Sequence, residues 1–199
     1  ISNVRSTIAS IRLRREDAML GALPPFHSFG LMANMLAPIL SGFRVIHHPD
    51  PTDAAGLVRL AAAYRPGLTA TTPTFLGYIF ATADPEELGS LRLVATGAEK
   101  CPEALFARAA EMIPAAVLLE GYGITECSPI VAANRREKSK PGTVGPPVEG
   151  VEVCVVHPET GEPLAGGETG MLLVRGPSVF GGYLNYDGPD PFQTLNGER

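Results

Sequence analysis

The sequence predicts an α/β fold: a parallel sheet with helices on its faces, followed by a small antiparallel, barrel-like β unit. Three observations carry this. Short apolar runs alternate with stretches of helical period from residue 1 to about residue 120. Each stretch between two runs is long enough for a crossover, and a crossover brings the next strand in parallel to the last. After about residue 140 the apolar runs are separated by turns alone, which marks antiparallel pairing.

Over residues 1–12, Val4, Ile8 and Ile11 share one helical face. Ala18 to Leu23 reads as a strand, closed by Pro24-Pro25. Ser28 is placed to cap a helix whose apolar face would be Leu31, Met35, Leu36 and Ile39, with Gly42 ending it. A strand from Phe43 to His47 follows, then a turn at Pro49-Asp50-Pro51. Thr52 or Asp53 caps a helix carrying Leu57, Leu60, Ala61 and Tyr64, stopped before Pro66. Leu68 to Thr71 is a short strand, and Thr72-Pro73 opens a helix that runs to about Ala83. Leu91 to Thr96 is a strand, Pro102 begins a helix ending near Met112, and Ala116 to Glu120 is the fifth strand. The Arg135–Lys140 run reads as a linker into the β unit, with strands Val151 to Val156, Met171 to Arg175 and Val179 to Tyr183. Two subdomains are therefore expected, 1–140 and 141–199.

Composition narrows the function. The chain is 45% hydrophobic and 19% charged, which is globular rather than disordered. A net charge of −5 argues against nucleic-acid binding. Two local basic clusters stand out, Arg12, Arg14 and Arg15, and Arg135, Arg136, Lys138 and Lys140. They read as solvated faces or as a surface for an acidic partner. Cys101, Cys127 and Cys154 form no CxxC pair, and the four histidines lack metal-ligand spacing. No apolar run reaches the roughly 18 residues of a membrane span, and no signal peptide is visible, so a cytoplasmic location is expected.

In a parallel sheet, ligands bind beyond the C-terminal strand ends. Three loops leave such ends: Pro24 to Gly30, Gly97 to Cys101, and Gly121 to Pro129. The first offers an imidazole, His27, between two aromatic rings. The second offers a small-residue wall in Thr96-Gly97-Ala98-Glu99. The third, Glu120-Gly121-Tyr122-Gly123-Ile124-Thr125-Glu126, reads as a glycine-flanked turn with a ring, a hydroxyl and a carboxylate. That set suits a planar base, a phosphate and a metal ion.

These stretches resemble the adenylate-forming superfamily of acyl-CoA synthetases, luciferases and peptide-synthetase adenylation domains. The resemblance is carried in order by Pro24 to Gly30, Thr96 to Glu99, Gly121 to Glu126, Gly167 to Gly176, and Gly182-Tyr183-Leu184-Asn185. His48 to Asp53, Thr72 to Leu76 and Thr96 to Leu105 look closest to the bacterial acyl-acyl-carrier-protein synthetase and 2-acylglycerophosphoethanolamine acyltransferase branch. The resemblance implies activation of a fatty acid by ATP and Mg²⁺. The acyl group would pass from an acyl-adenylate to the thiol of acyl carrier protein or CoA. It also implies roles. Glu126 would hold Mg²⁺, Thr125 would bond a phosphate oxygen, and Tyr122 would stack on adenine beside Gly123. Gly97, Ala98 and Glu99 would form the opposite wall, and Glu120 and Gly121 would line the adenine and acyl side. His27 would meet the substrate carboxylate.

The resemblance covers the middle of that family's large domain. Its phosphate loop is expected before residue 1, and its Thr-Gly-Asp motif and late lysine after Arg199. The 199 residues alone are therefore expected to form no acyl-adenylate and to bind ATP at about millimolar affinity. A fused acyltransferase domain, if the full-length protein has one, would bring association with the inner membrane. Activation of an aryl or amino acid, and a non-catalytic nucleotide-binding or carrier-docking module, are the competing readings.

Overall fold

The computed structural model describes residues 1–194. The last five positions of the expected β unit, 195–199, lie outside the described residues. Strands β1 (Ala18–Gly21), β2 (Arg44–His47), β3 (Leu68–Thr71), β4 (Leu93–Thr96), β5 (Val117–Gly123) and β6 (Ile130–Ala133) form one sheet in the order β2-β1-β3-β4-β5-β6. The first five are parallel, and β6 runs antiparallel to β5. The chain steps from β1 to β2 on one side and then crosses to β3 on the other. That reversal is a topological switch point, where open α/β sheets bind ligands.

Alternating side chains build two cores. On one face, Leu20, Val94 and Leu118 pack under α4 (Ala54–Tyr64), α5 (Pro73–Thr82), α6 (Pro85–Leu88) and α7 (Glu103–Met112). Fully buried Leu57, Leu76, Phe80 and Leu88 fill that side. On the other face, Met19, Leu68, Leu93 and Leu119 meet α1 (Ser2–Ile11) and the helical segment after β1. Caps set the helix starts. The Asp53 carboxylate accepts from the Gly56 N–H, and the Thr72 hydroxyl accepts from the Phe75 N–H with Pro73 in the first turn.

The structure corrects several expectations. Ser28 is not the cap of the helix after β1; the His27 side chain is. That helix is α2 (Ser28–Gly30), a π-helical run Leu31–Leu36, and α3 (Ala37–Ser41). Its Ala37 N–H bonds the Met32 carbonyl, five residues back, so a face drawn at 3.6 residues per turn rotates away. Met32, Ala33 and Ala37 are buried, whereas Leu31, Met35 and Ile39 stand 38%, 47% and 68% exposed; of the expected face only Leu36 packs on the core. Tyr64 likewise projects into solvent, and Val58 takes its place beside Leu57 and Ala61.

The stretch read as a glycine turn is a strand for three more residues, because β5 continues through Gly123 to pair with β6. Neither β6 nor α6 is foreseen in the sequence reading. Asn3 secures β6 from α1: its amide donates to the Ile130 carbonyl at 2.6 Å and its oxygen accepts from the Ile130 N–H at 3.1 Å. The expected linker holds a 3₁₀ turn, Arg136–Lys138. Beyond it, β7 (Glu152–Val156) and β8 (Met171–Arg175) form a two-stranded antiparallel sheet. Val179 to Tyr183, expected as a third strand, is irregular and packs Val179 near Cys127, Val131, Val148 and Val151. No described helix is long and apolar enough to cross a membrane.

Candidate nucleotide and acyl site

Parallel pairing places the C-terminal ends of β1, β3, β4 and β5 on one edge, and the three anticipated segments meet there. A Cβ built on Gly97 would lie 3.2 Å from the Gly121 carbonyl oxygen and 3.8 Å from the Phe29 ring. The Ser28 and Thr125 hydroxyls are 3.0 Å apart, which joins the first loop to the third. The backbones approach closely here, and a side chain at position 97 would have little room.

Beneath this rim lies a cavity of about 250 Å³. Its mouth is formed by His27, Ser28, Gly97, Ala98, Tyr122 and Thr125. Its depth is apolar, reaching Ile8, Ile11, Met19, Met32, Leu68 and Leu93. The strands explain the shape. On this face β3 presents Leu68 then Ala70, and β4 presents Leu93 then Ala95, with Gly97 following. Large side chains floor the cavity and small ones open it toward the rim. From Leu93 to Gly97 the strand rises about 13 Å.

His27 Nδ1 accepts the Phe29 N–H at 3.2 Å. In the neutral ring the proton then sits on Nε2, which is the remaining donor. Ala98 holds a left-handed backbone at φ 68°, uncommon for a side chain with a Cβ. The loop is braced on both sides of it. The Glu99 carboxylate accepts from the Thr74 hydroxyl at 2.5 Å and from its N–H at 3.3 Å, so it turns toward α5 and not into the cavity. The Cys101 N–H donates to Glu120 Oε1 at 3.3 Å.

Glu120 is the one acidic side chain among the buried polar residues described. Its second oxygen accepts from the Gly142 N–H at 2.9 Å. Buried Asn134 completes the brace: its amide donates to the carbonyls of Glu120 and Thr143, and its oxygen accepts from the Lys140 N–H. The Glu120 carboxylate thus ties the 97–101 loop and the 140–143 turn to β5, while its backbone carries Gly121 and Tyr122 to the rim.

Glu126 lies just outside the cavity lining, in the 3₁₀ turn Thr125–Cys127. Its Oε1 accepts the Tyr183 hydroxyl at 2.6 Å. That bond holds the Glu126 carboxyl below its usual range and pushes the Tyr183 phenol up. No group of three His, Cys, Asp or Glu side chains among the described residues could cage an ion. One carboxylate beside a hydroxyl fits Mg²⁺, which is commonly held by one or two carboxylates together with substrate phosphates and water. The sequence reading missed the partners that fix these groups: Ser28, Thr74, Asn134 and Tyr183. The first two lie within quoted motifs, and Tyr183 lies in Gly182-Tyr183-Leu184-Asn185, so a signal was present without its role.

Burial pushes the Cys101 thiol up to about 11, with the Glu120 charge adding to it, and burial also raises Cys127. At pH 8 a thiol of that acidity is about 0.1% thiolate. Cys154, half-buried on β7, is expected to react with iodoacetamide first, with Cys101 and Cys127 protected until the protein unfolds; peptide mapping after a timed pulse checks this. The two basic clusters come together where Arg12 meets Glu137 at 2.6 Å.

The rim, the apolar cavity and the braced acidic strand lie together at the switch point of the sheet. The model of the AMP-binding enzyme family matches residues 1–184, and the chain belongs to that family. It is 34% identical over 176 residues to a long-chain-fatty-acid–CoA ligase of Bacillus subtilis, covering 85% of this chain and 30% of that protein. It is 31% identical over 189 residues to 4-coumarate–CoA ligase 3 of Oryza sativa subsp. japonica, covering 92% of this chain and 33% of the relative. Among solved structures, ATP-bound MatB from Rhodopseudomonas palustris superposes with a TM-score of 0.83 at 29% identity, over 92% of this chain and 36% of that one. The chain thus spans about a third of the length of these relatives.

Proposed function

We propose that the full-length protein is an ATP-dependent fatty-acid ligase, with residues 1–140 and 141–199 as two subdomains of its larger AMP-binding domain. The observation that carries the substrate class is the cavity, whose lining is mainly apolar from Leu68 and Leu93 up to Gly97 at the rim, along about 13 Å of strand, a form that suits an alkyl chain. A carboxylate oxygen of the fatty acid attacks the α-phosphorus of ATP, and the bond to pyrophosphate breaks. The thiol sulfur of acyl carrier protein or CoA then attacks the acyl carbonyl, the thiol proton is lost, and AMP leaves. The relatives' printed names support CoA as one acceptor; the carrier protein is the finer reading.

The positions support a part for each residue. The Tyr122 ring, partly exposed at the mouth, stacks on adenine, with Gly123 alongside and Gly97 and Ala98 as the facing wall. Glu99 acts on that wall through Thr74, and Glu120 through Cys101 and Gly142. Gly121 leaves room where the base and the acyl carbonyl meet. Nε2–H of His27 bonds the substrate carboxylate and orients it above the cavity. The Thr125 hydroxyl donates to a phosphate oxygen once it leaves Ser28. Glu126 and the phosphates would hold Mg²⁺, which when bound neutralises charge on the phosphates and the departing pyrophosphate.

Ala95→Leu tests the cavity. It fills the middle depth, where Ala95 now leaves space. Each methylene denied burial costs about 0.8 kcal/mol, a factor of about four. Two excluded methylenes should lower kcat/KM for the longest accepted acid about fifteenfold while short acids keep theirs. An equal loss across chain lengths, or full retention, would count against a linear acyl substrate.

A further inference from the structure

We propose that Tyr183 is a positioning residue that holds the Glu126 carboxylate in the orientation in which it takes a divalent cation. This rests on reading Glu126 as the metal-holding carboxylate. It gives a task to Gly182-Tyr183-Leu184-Asn185, which, like Gly167 to Gly176, is an anticipated motif that the nucleotide and acyl walls do not use.

The two residues are 57 positions apart and meet at 2.6 Å, hydroxyl to carboxylate Oε1. Tyr183 is 49% exposed, so burial does not account for its place. Its ring is held edge-on by Phe180, centroids 4.8 Å apart at 70°, and by Tyr186 at 5.1 Å and 61°. The hydroxyl is therefore aimed by two neighbours. The segment that carries it is anchored to the turn that carries Glu126. The Phe180 N–H donates to the Glu126 carbonyl at 2.8 Å, and the Ser128 hydroxyl donates to the Ser178 carbonyl at 2.8 Å. Three bonds join segment 178–183 to turn 125–128, and one of them ends on the side chain that matters.

A glutamate near the surface otherwise samples several rotamers, and ordering it on binding would oppose metal capture. The tyrosine orders it beforehand. It occupies Oε1 and leaves Oε2 for the cation, as partners of ligating carboxylates do at metal sites, where their loss costs about 10- to 100-fold in affinity.

The test uses the full-length protein with ATP present and Mn²⁺ as the probe, its binding followed by electron paramagnetic resonance. Tyr183→Phe keeps the ring stack and removes only the hydroxyl. It is expected to raise the Mn²⁺ Kd about tenfold. Tyr183→Leu removes the ring as well; a Kd equal to that of Tyr183→Phe is expected, whatever its thermal stability. The proposal is overturned if Tyr183→Phe binds Mn²⁺ within twofold of the unaltered protein while Glu126→Gln is weakened. It is also overturned if affinity falls only when the ring is lost. Unchanged binding by Glu126→Gln would instead overturn the metal role of Glu126, and the Tyr183 proposal with it.

Discussion

In the full-length protein, if it is the proposed ligase, Glu126→Gln is expected to lower acyl-adenylate formation by about 10²-fold or more, the scale of removing one preorganised electrostatic contact from a charged transition state. The substitution is selective. A glutamine keeps an oxygen in place to accept the Tyr183 hydroxyl, so the turn and its anchoring segment have no reason to move. It removes the charge, and with it the hard oxygen ligand that Mg²⁺ prefers. The loss should fall mainly on kcat for carboxylate-dependent exchange of pyrophosphate into ATP, with the KM for the fatty acid little changed, because the proposed acyl cavity lies beneath the rim and Glu126 outside its lining. Raising free Mg²⁺ should recover part of the rate. An exchange rate within threefold of the unaltered protein would remove Glu126 from the metal site.

The parallel sheet was legible because each crossover carries its own punctuation. Asp53, Thr72-Pro73 and Gly42 are local signals, and all three act where the sequence places them. The rim was legible for the same reason: once strands run parallel, their C-terminal loops must share an edge. What was not legible depends on contacts between distant residues or on a change of period. The π-helical run changes the repeat from 3.6, so the face drawn through Leu31, Met35 and Ile39 misses the buried Met32, Ala33 and Ala37. Gly121-Tyr122-Gly123 has the composition of a turn, and only pairing with Ile130–Ala133, backed by Asn3, makes it a strand. The buried Glu120 carboxylate looks like a ligand contact in the sequence. Glu120 does line the cavity, and its two N–H partners, at Cys101 and Gly142, show a bracing task that the sequence does not signal.

One chemical change at two glycines is expected to act in opposite directions. Gly123→Ala adds a methyl group where β5 meets β6. That Cβ would overlap the Pro129 carbonyl oxygen and come within 3.1 Å of the Ile130 Cα, both backbone atoms in the turn that returns to β6. Neither can move without opening the irregular Tyr122–Gly123 register, so the cost should reach about 3 kcal/mol, the upper range for overpacking. For a protein of this size that lowers Tm by about 6–12 °C. The displaced strand also carries Tyr122, so ATP affinity should fall with stability. At Gly77, inside α5, an added Cβ has open space. Gly77→Ala should stabilise the protein by about 0.4–1 kcal/mol, because it restricts the unfolded chain and suits a helix interior. Nucleotide affinity should stay unchanged there, because the added methyl group meets nothing and leaves the Thr74–Glu99 bond between α5 and the rim in place. Thermal denaturation and calorimetric ATP titration of both variants decide the point. A Gly123→Ala protein as stable and as tightly binding as the original would mean that the β5–β6 return is not a rigid wall of the proposed adenine site.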